Sequence, residues 1–490
     1  MVGMRPVRFT STSVAVALLA SLLGSPARAQ MPEERKQDAN GSGPKEDEKP
    51  FIAPNGVQTP SIATSLPPEL GGAVGLRQAL ADRGVQFGLN YIGEGLANVT
   101  GGVRPGSTYF GRLEATLDAD LEKALGAKDL TFHANAFQIH GRGLSRFFIG
   151  NILPVSAIEA TPSTRLFELW LERKALNGKA SVRLGQLGAD QEFFTAYWDN
   201  IFINGTFGWP GITTLNLPSG GPAYPLAALG VRVKIDPTPN ISLLAAVFDG
   251  DPAGPASPFQ DVDPQRRNGA GLNFRLRDPP FVIAEAQGRY EIGGVSGTAK
   301  IGAWRHFGRF NDQRLASDFL TIANPASAGT PLQRRGDYGI YGVIDQQIFR
   351  PPSGEPDKGV GFSIRASVSP QQDRNIISAY VDGGLNFTGM VPGRANDAFG
   401  FAGAYARFSR SIRRLDQDVD VLTGRPAPIR SAEAILEATY QAQVVDGFNV
   451  QPVMQYVIRP AGGVANPGDP LGVRPLRNAF MVGARTTIRY

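Results

Sequence analysis

Thr108–Glu122 reads Thr-Tyr-Phe-Gly-Arg-Leu-Glu-Ala-Thr-Leu-Asp-Ala-Asp-Leu-Glu. One set of alternate positions is Arg112, Glu114, Thr116, Asp118 and Asp120, and the other is Leu113, Ala115, Leu117, Ala119 and Leu121. Successive side chains of a strand point to opposite faces, so this stretch has one apolar face and one face charged almost throughout. A soluble sheet with its apolar side on a core would satisfy that pattern once. Here it recurs along most of the chain.

Further strand candidates are Val85–Val99, Leu130–His140, Arg165–Arg173, Ala180–Leu187, Ala228–Ile235, Ile241–Phe248, Gly271–Arg277, Phe281–Glu291 and Lys300–Phe307. The series continues with Tyr338–Phe349, Val360–Val368, Ile376–Thr388, Ala398–Phe408, Ala432–Val444, Phe448–Ile458 and Ala479–Tyr490. In Arg165–Arg173, alternation puts Phe167, Leu169 and Leu171 on one face, and Glu168, Trp170 and Glu172 on the other. In Gly271–Arg277, Leu272, Phe274 and Leu276 oppose Asn273, Arg275 and Arg277. With the opening stretch this makes 17 segments. A single-chain bacterial outer-membrane barrel has an even number of strands, so one assignment is in error. The region Gly271–Phe307, where turns do not sort into sides, is the place to look. The expectation is a closed all-β barrel of about 16 strands, with 18 as the alternative.

Composition agrees. The chain has 490 residues, 59 Gly and 38 Pro, which suit many strands and turns better than long helices. Net charge is only +5, with no basic patch of the kind that binds nucleic acid. No Cys is present, which removes disulfides and thiolate chemistry, and three His make a His-rich metal site improbable. No cofactor is implied. At the N-terminus, Arg5 and Arg8 precede the apolar run Val14–Leu23, and Ala27-Arg28-Ala29 follows. This reads as a signal peptide over residues 1–29. Beyond it no run approaches the roughly 18 apolar residues a membrane helix needs. Residues 30–70 are Pro-rich and charged, and read as a disordered periplasmic leader. Leu76–Gly84 reads as a short helix that Gly84 ends, and residues 71–490 as the barrel.

Three features favour a membrane barrel over a soluble propeller or sandwich. Charges sit mid-strand on the face opposite the apolar one, where a watery lumen would hydrate them. Connections are uneven: the short Pro237–Asn240 contrasts with Gly188–Pro225, Gly308–Arg335, Ser411–Arg430 and Ala461–Asn478. The last strand ends on aromatic Tyr490, as outer-membrane strands commonly end on Phe.

From Tyr91 onward the order of motifs resembles the carbohydrate-selective porin (OprB) family. The pieces are Tyr91-Ile92-Gly93-Glu94, Arg165-Leu166-Phe167-Glu168-Leu169-Trp170, Arg183-Leu184-Gly185-Gln186-Leu187, and Phe202-Ile203-Asn204 with Phe207-Gly208-Trp209-Pro210. Gly220-Gly221-Pro222-Ala223-Tyr224-Pro225, Phe248-Asp249-Gly250-Asp251-Pro252, Lys300-Ile301-Gly302-Ala303-Trp304 and Glu437-Ala438-Thr439-Tyr440 follow. No one of these is specific, whereas their ordered succession is. The resemblance implies a 16-stranded outer-membrane barrel that passes sugars by facilitated diffusion, with a constriction lined by Arg and some acidic partners.

Selective passage of a sugar needs fixed donors and acceptors, with aromatic rings for its C–H face. Alternation turns Arg112, Glu114, Glu168, Trp170, Arg183, Arg232, Lys234, Arg275 and Arg365 toward the lumen, and Arg183, beside the longest loop, is the leading candidate. That loop, Gly188–Pro225, carries Trp198 and Trp209 among eight aromatics and is expected to fold inward and narrow the pore. The Glu168/Glu172 pair invites comparison with a glycosidase, but lumen charge explains it more simply. No P-loop and no nucleophile motif is present. The reading is a sugar porin of the outer membrane, not an enzyme, in contact with lipid and with homo-oligomerisation left open. The competing readings are a non-selective porin and a secreted polysaccharide-binding protein or enzyme.

Overall fold

In the computed structural model, residues 60–255, 260–352, 355, 358–424 and 426–490 are described. The signal peptide expected at 1–29, and the leader as far as residue 59, lie outside them. The described residues form sixteen strands: β1 (Val85–Gly102), β2 (Gly106–Asp120), β3 (Leu130–Gly141), β4 (Ser163–Ala175), β5 (Ala180–Leu187), β6 (Ala228–Thr238), β7 (Ile241–Phe248) and β8 (Phe281–Ile292). The second half comprises β9 (Val295–Ala316), β10 (Pro331–Phe349), β11 (Gly359–Val368), β12 (Ile377–Thr388), β13 (Ala398–Phe408), β14 (Ala432–Val445), β15 (Phe448–Ile458) and β16 (Arg477–Arg489). Every neighbour in sequence is an antiparallel neighbour in the sheet, and β1 pairs with β16 to close the barrel. Among the described residues no helix is long and apolar enough to cross a membrane. The crossing is made by strands.

The burial pattern confirms the alternation. In β2, Leu113 and Leu117 are exposed on the outside, while Arg112, Glu114, Thr116 and Asp118 are partly covered on the inside. Leu184, Leu243, Ile301, Ile340, Ile364, Val381, Leu436 and Met454 continue the exposed apolar belt. The seam is tight: the register Asn90↔Arg489 to Ala97↔Val482 is unbroken, and Leu89 and Tyr490 exchange N–H···O bonds of 2.9 and 2.7 Å. Beside the seam, helix Leu76–Ala81 places Arg77 between the rings of Phe87 and Tyr490, at 4.3 and 4.5 Å. The end of the expected leader, 60–70, carries a 3₁₀ turn, Ile62–Ser65, rather than unstructured chain, and Ser61 Oγ donates to the carbonyl of Arg489 at 3.4 Å.

Four expectations are corrected. Gly271–Arg277 is not a strand but part of the connection between β7 and β8, which brings 17 segments to 16. Its alternation reflects no ladder: Arg275 bonds Asp278 within the connection, at 2.7 and 3.1 Å. The supposed loop Gly308–Arg335 is strand at both ends, through Ala316 and again from Pro331, because β9 and β10 run on as a paired hairpin past the neighbouring strands. Thr108–Glu122 ends as a strand at Asp120, whose carboxylate caps the helix Leu121–Leu125 through the N–H groups of Glu122 and Lys123. Phe167 does not share a face with Leu169 and Leu171. Ala134 pairs with Leu169 but Ala136 with Leu166, so two β4 residues oppose Asn135 and both Phe167 and Glu168 point inward.

The register generates a test. Leu113→Arg, facing lipid, is expected to lower stability by about 2–4 kcal/mol, whereas Thr116→Arg, facing the lumen, changes it little. Urea unfolding of the protein in lipid vesicles measures both, and equal losses would contradict the register.

Candidate functional site

Two connections turn into the barrel. One is the expected loop between β5 and β6, residues 188–227. The other, between β3 and β4 at residues 142–162, was not foreseen as an inward segment. Both are held by the same device. Inward carboxylates of the far wall accept their backbone N–H groups, which have no strand partner. Glu433 accepts from Ile152 and Leu153 at 2.9 and 2.8 Å. Glu437 accepts from Ile203 and Asn204 at 2.7 and 3.0 Å. Glu285 accepts from Phe194, and Asp345 from Tyr197, both at 2.8 Å. The two segments also bond each other, Ala157 N to Ile203 O at 2.7 Å and Gly205 N to Pro154 O at 2.9 Å.

Arg365 belongs to this fastening. Its guanidinium donates to Asp382 at 2.9 and 2.6 Å, and to the carbonyls of Phe194, Thr206 and Gly208 at 2.8–2.9 Å. With its side chain 0% exposed it touches no water-filled path. The aromatics of the long loop need room, and small lumen-facing residues supply it. A Cβ on Gly361 would lie 2.0 Å from the Trp198 ring, and one on Gly384 2.2 Å from the Phe202 ring. β13 presents Ala398, Gly400, Ala402, Ala404 and Ala406 inward before it ends on the buried Phe408. Trp198 and Trp209 are therefore buried packing groups, and Trp209 Nε1 donates to Gly220 O at 3.1 Å.

On the opposite wall, β1 to β6, Arg112, Glu114, Asp118, His133, Glu172 and Arg183 stay partly open, while Glu94, Glu168, Gln186 and Arg232 are buried. Arg112 bonds Glu114 at 3.1 Å, and its guanidinium lies over the rings of Phe137 and Tyr224. Asn135 Nδ2 donates to Glu114 at 3.2 Å, and its Oδ1 accepts the Glu168 N–H at 2.8 Å. Glu168 is buried and accepts the Gly188 N–H at 2.9 Å, which positions the start of the long loop. His133 bonds Asp118 at 2.9 Å and stacks on Trp170 with ring centres 4.8 Å apart. Arg183 lies 3.8 Å over Trp170 and bonds Glu172 at 2.9 Å and Glu192 at 3.4 Å. Arg232, almost fully buried behind it, bonds the same two carboxylates at 3.1 and 2.7 Å. Lys234 shares the inner face of β6 with Arg232.

Of the residues singled out in the sequence, Arg112, Glu114, Trp170 and Arg183 come together on this open wall, with Arg232 and Glu168 immediately behind. Trp198, Trp209 and Arg365 sit in the loop packing, and Arg275 lies off the barrel. Glu192, a loop residue, completes the charge lattice. Glu433, Glu437, Glu285 and Asp345 complete the fastening. The small lumen-facing residues of β11 to β13 were the available signal for the fastening side.

A closed antiparallel barrel with an outward apolar belt, a polar lumen and an inward-folded loop is a porin, a channel of the outer membrane. The description "Carbohydrate-selective porin, OprB family" matches residues 104–490, and the chain belongs to that family. It is 25% identical over 415 residues to Porin B of Pseudomonas aeruginosa, covering 80% of this chain and 87% of that one. It is 22% identical over 426 residues to the putative porin QuiX of Acinetobacter baylyi, covering 80% and 88%. Its fold matches the high-pH structure of Pseudomonas putida OprB with a TM-score of 0.75 at 21% identity, over 86% of this chain and 97% of that one.

Loosening the far-wall fastening is expected to open the pore. Gly361→Val, which excludes the Trp198 ring, and Arg365→Ala, which strands Asp382 and three carbonyls, should raise single-channel conductance and its noise. Unchanged conductance in both would show that the loop is held by other means. A second expectation concerns Glu159 in the 142–162 segment. Burial raises its carboxyl to about 7 against the lowering effect of bonds from Ser145. Its folded value is above its unfolded one, so the folded protein retains a proton that the unfolded chain releases. The stabilising effect is full below about pH 4.5 and is lost as pH rises through about 7. Glu159→Gln should remove that part of the pH dependence of the melting temperature.

Proposed function

We propose that neutral sugars diffuse passively between the two inward loops and the open wall of β1 to β6, bound weakly by the Arg112, Glu114, Trp170, Glu172, Arg183 and Glu192 lattice. The observation that carries this reading is the asymmetry of the lumen. Arg183, Glu172 and Glu192 keep 13–15% of their side-chain surface open, whereas Arg365 and Asp382 across the barrel are at 0%. Water and solute have their path beside the first set.

The lattice suits an uncharged, hydroxyl-rich solute. Arg183 and Arg232 balance Glu172 and Glu192, and Arg112 balances Glu114, so donors and acceptors are presented without net charge. Guanidinium groups supply donors, carboxylates supply acceptors, and exchange of their hydrogen bonds with sugar hydroxyls costs little relative to water. Trp170, sandwiched between His133 and Arg183, holds the Arg183 guanidinium in place, and Tyr224, half-buried beside Arg112, is the ring placed to meet the C–H side of a sugar. Several weak contacts in series allow both entry and exit, which conduction requires. Glu168 and Glu172 are occupied in holding the loop and the arginines, so the reading is transport without bond cleavage. We further propose that residues 1–29 direct export and that residues 30–59 precede the barrel on the periplasmic side.

Single-channel conductance in a planar bilayer, titrated with glucose and then with maltooligosaccharides, tests the proposal. Saturable block is expected, and Arg183→Ala should raise the half-blocking concentration about tenfold by removing one charge-assisted contact. Conductance that no sugar blocks would leave a non-selective pore.

A further inference from the structure

On the outside of the barrel, the loop end of the β9–β10 hairpin carries three exposed arginines: Arg305, Arg309 and Arg335. Arg309 and Arg335 face each other directly across the ladder, and Arg305 faces Tyr338. Like charges directly opposite on one sheet face are destabilising unless something neutralises them. Nearby carboxylates are already taken. Asp312 bonds Arg334 at 2.7 Å, and Asp373 bonds Arg334 and Arg374 at 3.2 and 2.8 Å. Among the described residues none supplies a carboxylate to the outward three. Phe307, exposed between Arg305 and Arg309, and Tyr338 mark this height as the interface between hydrocarbon and head groups.

Directly toward the membrane centre the outer wall is hollow. Where the belt elsewhere presents Leu and Ile, here Ala284, Ala303 and Gly342 form a floor between Leu243, Ile344 and Ile364. The groove holds about 980 Å³ and is almost wholly apolar. Ala303 and Arg305 are successive outward residues of β9, so the apolar hollow borders Arg305, with Phe307 and then Arg309 beyond it on the same face.

We propose that this face binds one phosphorylated, multiply acylated lipid of the outer leaflet, with acyl chains in the groove and phosphate oxygens on Arg309, Arg335 and Arg305. The proposal rests on the reading of the barrel as membrane-spanning, but not on which solute the pore carries. Charge complementarity selects this occupant over a second copy of the chain, because a second copy would bring the same three arginines. Arginine matches phosphate through two parallel N–H···O bonds, and the Arg309–Arg335 pair offers two such forks side by side. Filling the groove with chains also replaces loose lipid packing by fixed contact.

The full chain, extracted in detergent, is titrated with diphosphoryl lipid A and followed by native mass spectrometry, with phosphatidylethanolamine as the comparison lipid. One lipid A per chain should be retained, and phosphatidylethanolamine displaced. The double variant R309Q/R335Q should weaken retention about tenfold or more, since two charge-assisted sites are lost. A303W, which fills the groove and keeps the arginines, should also weaken it. Heat-modifiable migration confirms that each variant is folded, and conductance should stay at the wild-type level. Equal retention of both lipids, or retention by R309Q/R335Q at the wild-type level, would overturn the proposal. So would an A303W variant that changes only the number of chains per particle, because that outcome assigns the groove to another copy.

Discussion

Every backbone N–H and C=O inside a bilayer must find a partner within the protein, and the pairing of β1 with β16 is how this chain meets that demand. An open sheet would leave two rows of unpaired groups in hydrocarbon, each costing several kcal/mol. Closure explains why the strands alternate so strictly. A slip of one residue at the seam would part Glu94 and Arg485, bonded to each other at 2.6 Å inside the wall, and turn the one on the slipped strand out into lipid. It also explains the fittings around the seam, with Arg77 sandwiched between Phe87 and Tyr490 beside the last ladder bonds.

The same accounting governs the interior. The inward loops carry backbone donors with no strand to pair with. The wall answers with carboxylates rather than backbone, because its own backbone is spent on the ladder. Glu285, Asp345, Glu433 and Glu437 thus do for the loops what neighbouring strands do for each other. The consequence is functional asymmetry: one side of the lumen is consumed by fastening, and the other is left as a charge-balanced wall. The outside shows a third version of the same rule, where none of the described residues supplies a carboxylate to Arg309 or Arg335.

How far the sequence could be read depended on the range of the interaction involved. Alternation is local, so the facing of strands such as β2, β11 and β14 was legible, though not where β2 stops. Gly271–Arg277 alternates as well as any of them, yet no neighbouring strand pairs with it. Phe167 was misplaced because a bulge depends on the partner strand, not on the strand that bears it. Arg183 and Arg365 look alike in sequence, each mid-strand with apolar neighbours. Only the course of the long loop, which covers one and spares the other, separates a partly open lumen residue from a buried fastening residue.

The sequence by itself determined the class of fold, the facing of the strands and the family, because a period of two and an ordered set of motifs survive without knowledge of contacts. The tertiary structure alone decided which lumen charges meet water, that a second loop enters the barrel, and where the outer wall is hollow. Those properties arise from residues far apart in the chain, such as Ile152 and Glu433 or Ala284 and Ile364. Burial is set by what a folded chain lays over a side chain, and no local pattern encodes it.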